Sequence, residues 1–91
     1  MYRLDNVVEV HPDENDAAFI DSFRDFLERV FEATFLEPTV VGPVGSQVIT
    51  LVPFLIQEEE LGLVIETYKG ISLAGPPWLV NEVLGRFKPP V

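Results

Sequence analysis

Between Gln47 and Tyr68 the chain reads QVITLVPFLIQ, then EEE, then LGLVIETY. This stretch constrains the fold more than any other. Two runs of β-branched and large apolar residues flank three consecutive carboxylates, so a long β-hairpin is predicted, with Glu58, Glu59 and Glu60 in an exposed connecting loop. Side chains alternate faces along a strand. In the first arm Val48, Thr50, Val52, Phe54 and Ile56 share one face and Ile49, Leu51, Pro53 and Leu55 the other, so both faces are apolar. In the second arm Leu61, Leu63 and Ile65 oppose Gly62, Val64, Glu66 and Tyr68. Pro53 has no N–H to give to a ladder, so its strand belongs at an edge or a bulge. An edge strand that is apolar on both faces invites aggregation unless something covers it.

The remaining segments are placed by what they must cover. YRLDNVVEV (2–10) reads as a first strand, with Leu4, Val8 and Val10 facing one way, and His11-Pro12 ends it. A helix is predicted from about Glu14 to Phe35. Phe19, Ile20, Phe23, Phe26, Leu27, Val30, Phe31 and Thr34 fall on one broad arc, and Asp13 or Asn15 stands ready to cap its start. PTVVGPVGS reads as a loop holding a brief extended piece at Thr39–Val41. After a turn at Lys69-Gly70, Ile71–Ala74 adds a short strand, and a last helix starts at Pro77 and runs to about Phe87. Its stripe is Leu79, Val80, Val83, Leu84 and Phe87, with Trp78, Asn81, Glu82 and Gly85 opposite. Trp78 there has two readings: a partner contact, or a ring folded over Gly75–Pro77 to seal the edge of the core.

The 91 residues suffice for one domain, and 47% hydrophobic residues is high for a chain this small, whose large surface-to-volume ratio calls for more polar residues. No cysteine is present, which excludes disulfides and thiolate-held zinc. No run reaches the ~20 apolar residues of a membrane span, and the first ten residues lack the apolar core of a signal peptide, so a cytoplasmic protein is expected. The net charge is −9 and unevenly placed: residues 1–37 hold ten acids and three bases, whereas residues 38–57 hold no charge. That balance argues against nucleic acid as a partner and allows a basic protein.

Catalysis has little to build on. Ser22, Ser46 and Ser72 have no patterned base, and Gly42–Gly45 lacks the lysine and hydroxyl of a phosphate loop. The lone histidine, His11, lies near Asp13, Glu14 and Asp16, but one imidazole beside flexible acids makes a poor metal site, and helix capping explains the acids better. His11 is therefore expected to be dispensable for folding. Glu9 and Glu66 are the one pair of carboxylates that could share a sheet face for acid–base work. No catalytic residue, metal or cofactor is assigned.

These elements predict an α+β two-layer sandwich, a small mostly antiparallel sheet in the order β-α-β-β-(β)-α with two helices on one face. The alternative is a ferredoxin-like fold lacking its terminal strand. With one face covered, the other would show Ile49, Leu51, Leu55, Val64 and Tyr68, with Val7 nearby and Trp78 extending the contact. The expected function is a non-catalytic interaction domain that forms a homodimer through that face or the open edge. The alternatives are an acidic inhibitor or immunity-type protein, which would use Asp21, Asp25, Glu28 and Glu32 on the first helix against a basic partner, and a small-ligand binder with a pocket between helices and sheet.

Overall fold

The computed structural model describes residues 7–44 and 47–87, the backbone alone over 42–44. These residues form β1 (Val7–His11), α1 (Ala17–Phe31), β2 (Thr34–Phe35), β3 (Thr39–Val44), β4 (Gln47–Ile56), β5 (Glu59–Glu66), β6 (Gly70–Ala74) and α2 (Pro77–Arg86). The strands make one sheet in the order β1-β6-β5-β4-β2, with β3 also on β4, and every pairing is antiparallel. This is the α+β sandwich expected from the sequence. The ferredoxin-like alternative is not realised, because β4, β5 and β6 follow one another as a meander and β1 closes its far edge.

α1 carries the chain from β1 at one edge to β2 at the other. Its 15 residues span about 22 Å, and four strand spacings of about 4.8 Å come to about 19 Å, so one straight helix bridges the sheet. The helix is shorter than the expected 14–35. Its start is set by Asp16, whose carboxylate accepts the Phe19 N–H at 3.0 Å. It stops at Glu32, which takes a left-handed φ of 54°, and Ala33 then donates its N–H to the Leu27 carbonyl at 3.1 Å. Thr34, placed by periodicity on the helical arc, instead pairs with Leu55 as a strand residue.

PTVVGPVGS is likewise more ordered than expected: Thr39–Val44 is a strand, since β4 offers it a ladder over Ile49–Leu51. Together β2 and β3 line the outer side of β4, shifting register by one residue across Leu36–Pro38. Pro53 sits at that interruption, which resolves the conflict its missing N–H creates. The β4–β5 hairpin turns on Gln57 and Glu58, with φ of 50° and 69°, and Ile56 faces Glu59 across it. The turn is therefore one residue earlier than the three-glutamate loop predicted, and Glu59 and Glu60 are strand residues.

Both helices pack on one face. Phe19, Phe23, Phe26 and Leu27 from α1 and Leu79, Val80 and Val83 from α2 meet Val52, Phe54, Ile56, Leu61, Leu63, Ile71 and Leu73 from the sheet, with Val8, Val10 and Ile65 at the margin. Leu4, expected beside them, lies outside the described residues. Phe87 ends α2 in an extended conformation, and its ring meets Phe23 edge-on at 4.7 Å between centroids and Phe26 at 5.1 Å. One aromatic side chain thus ties the two helices together.

Candidate functional site

Side-chain alternation on β4 and β5 decides where the expected interface residues stand. Leu51 pairs with Val64, Ile49 with Glu66 and Leu55 with Glu60, all on the face turned away from the helices. Val64 pairs onward with Ser72, which faces Glu9, while Pro53 aligns through Gly62 and Ala74 to Val7. Among the described residues no helix lies over this face. Its residues are sheltered nonetheless: Val64 is only 3% exposed, and Ile49, Leu51 and Leu55 are half-buried. Tyr68 is not a strand residue as expected. It sits in the β5–β6 turn with φ 70° and is 78% exposed.

Trp78 belongs to the other layer. It is 60% exposed on α2, so its ring does not seal the core, and it borders a groove between α2 and the hairpin tip rather than the helix-free face. The groove encloses about 250 Å³. Phe31, Ile56 and Leu79 form its apolar part, while Gln57, Glu82 and Arg86 supply its polar groups. Arg86 Nη2 stands 2.9 Å from Glu82 Oε1, and its guanidinium lies 5.5 Å from the centre of the Phe31 ring. Sequence reading had no signal for this groove, because Phe31 and Gln57 approach α2 only in the folded chain.

The acidic positions on α1, Asp21, Asp25, Glu28 and Glu32, are all exposed. Asp25 is matched within the helix by Arg29, whose Nε lies 2.6 Å away. Glu9 and Glu66 do share the helix-free face, but β6 runs between their strands, so two spacings of about 4.8 Å and no cleft separate them.

His11 is more engaged than expected. Its ring stacks on Phe19, centroids 4.2 Å apart and planes 6° apart, and Nε2 lies 2.9 Å from Asp16 Oδ2. Glu14 reaches across to accept the Tyr68 N–H at 2.9 Å, tying the lead into α1 to the β5–β6 turn. That backbone N–H holds the Glu14 carboxyl below its ordinary value. Asp16 is held low chiefly by the Phe19 N–H, with His11 adding to it. These acids therefore have structural partners, and no group of three metal-ligating side chains occurs among the described residues.

No helix among the described residues is long and apolar enough to cross a membrane. Comparison with protein-family models, curated proteins and solved structures finds no significant match. The geometry of the chain itself carries the functional reading.

Proposed function

We propose that this chain is a non-catalytic protein-interaction domain, acting in the cytoplasm, that self-associates through the helix-free face of its sheet. One observation carries the reading: both helices lie on one side, while the half-buried Ile49, Leu51, Pro53 and Leu55 of β4 lie on the other, beside a Val64 that is already buried. A second copy is the favoured occupant because residues 38–57 carry no charge. Two chains of net charge −9 repel one another, and the carboxylates on this face, Glu9, Glu60 and Glu66, lie on β1 and β5, so the uncharged β4 is where two copies can approach. A twofold arrangement sets the same apolar strip against itself.

The size of the face sets the strength. Five strand positions by about five residues give roughly 19 Å by 17 Å, about 320 Å² per partner and well below the roughly 800 Å² per partner of a standard specific interface. A weak, transient dimer that forms only at high micromolar concentration is the expectation rather than an obligate one.

Size-exclusion chromatography with light scattering tests this. The wild type should shift from monomer towards dimer in the high micromolar range, and Leu51→Glu should remain a folded monomer throughout. Ile49→Lys, nearer the end of the strand, provides a second variant should Leu51→Glu fail to fold. A wild type that stays monomeric at high micromolar concentration overturns the reading.

A further inference from the structure

Trp78, Glu82 and Arg86 follow one another at four-residue spacing, so they form a ladder along one flank of α2. The lower half is satisfied internally, with Arg86 held by Glu82 and set over Phe31. The upper half repeats the same ingredients, an aromatic ring one turn from a carboxylate. Its ring is an indole, the side chain most attractive to cations, and among the described residues no cation lies over it.

We propose that the groove beside Trp78 binds a guanidinium or ammonium side chain from a basic segment of a partner protein. The cation stacks on the Trp78 indole and pairs with the Glu82 carboxylate, which Arg86 engages through Oε1. The Gln57 side chain, on the opposite wall, offers its amide oxygen as a further acceptor. Three features select this occupant. The groove, about 250 Å³, falls below the range of drug-sized ligand pockets and suits a single side chain. Charged residues lining it, or next in sequence to a lining residue, are Glu32, Glu58 and Glu82 against Arg86 alone, within a chain of net charge −9. This field draws basic segments and repels acidic ones. Finally, Gly85 lies two turns from Trp78 on the same side of α2 with nothing within 4 Å of where a Cβ would stand, so a partner backbone can run along the helix there.

The site lies in the helix layer, away from the face proposed for self-association, and stands independently of that reading. Trp78 is the chain's single tryptophan, so its emission reports on the groove directly. The intact chain is titrated with a hexa-arginine peptide, with hexa-glutamate and the non-fluorescent cyclohexanol as comparisons. The expected result is a saturable change in Trp78 emission with hexa-arginine alone, weakened by added salt and by about tenfold in Glu82→Gln. Glu28→Gln, which removes a charge from α1, should bind as the wild type does. Circular dichroism confirms that each variant is folded, and Gln57→Ala replaces Glu82→Gln should the latter unfold. An absent or non-saturating response overturns the proposal, as does an equal loss in Glu28→Gln and Glu82→Gln. Tighter binding of cyclohexanol would make the groove a neutral apolar pocket, and an emission change on concentrating the protein alone would assign it to a second copy. Either result also defeats the proposal.

Discussion

Leu36 donates its backbone N–H to the carbonyl of Pro53 at 2.9 Å. This bond turns the polar side of Pro53 towards the outer strand, where β2 has ended and β3 has yet to begin. The residue without an N–H is thus placed where the ladder is already interrupted. Two residues on, Leu55 faces Thr34 within the paired part of β2. Pro53→Val should therefore change stability by less than about 1 kcal/mol, while Leu55→Pro, which deletes an N–H inside the ladder, should cost about 2 kcal/mol or more. Urea unfolding of the two variants checks the contrast, and equal losses would refute it.

Gly70 supports the junction of β1 with β6. Its φ is +94°, and a Cβ there would stand 2.4 Å from the His11 carbonyl oxygen and 2.9 Å from the Pro12 carbonyl carbon. Both are backbone atoms, so no side chain can swing away. Gly70→Ala should cost at least about 2 kcal/mol through combined clash and left-handed strain. A melting temperature within a degree or two of wild type would show that the junction yields.

The hairpin tip is stabilised suboptimally. Gln57 and Glu58 both hold positive φ, as in a type I′ turn, which asparagine and glycine adopt with far less strain. Glu58→Gly should raise stability by about 1 kcal/mol. The check is a higher melting temperature with unchanged circular dichroism, and a lower one would contradict the assignment.

His11 stacks on Phe19 beside the helix cap, and aromatic pairs of this kind contribute about 1 kcal/mol beyond their burial. His11→Ala should therefore lose about that amount or more in chemical denaturation, while His11→Phe, which keeps a ring on Phe19, should recover most of it. Loss in neither variant would return His11 to the dispensable role the sequence suggested.

Acid should weaken the same region. Glu14 and Asp16 are both held below their ordinary values by backbone N–H groups, those of Tyr68 and Phe19. A depressed carboxyl adds stability above its unfolded pKa, and that contribution is lost as pH falls through the lower folded value. Stability should accordingly decline from about pH 4 downward, and the double variant Glu14→Gln, Asp16→Asn should show a shallower decline. Urea midpoints measured from neutral to acid pH test this, and parallel curves would rule it out.

Local pattern determined much of this protein. The alternation of Val52, Phe54, Leu61 and Leu63 identified the hairpin and its helix-facing side. The spacing of Phe19, Phe23, Phe26 and Leu27 identified α1 and its buried stripe. Those signals are legible because period and burial are encoded within a few residues of one another. Tertiary structure decided what depends on distant partners. Thr34–Phe35 and Thr39–Val44 became strands because β4 offered them an edge, and of these the sequence suggested only the extended piece at Thr39–Val41. Val64, paired with Leu51 and Ser72, proved buried although it points away from both helices, which the alternation of its own strand could not show. Trp78 came to border a groove because α2 lies over the hairpin tip, bringing Ile56, Gln57 and Phe31 within reach from two other elements. Sequence fixes the face each side chain presents within its own element. The meeting of those faces depends on how helices and strands pack, and there the composite sites of this molecule were made.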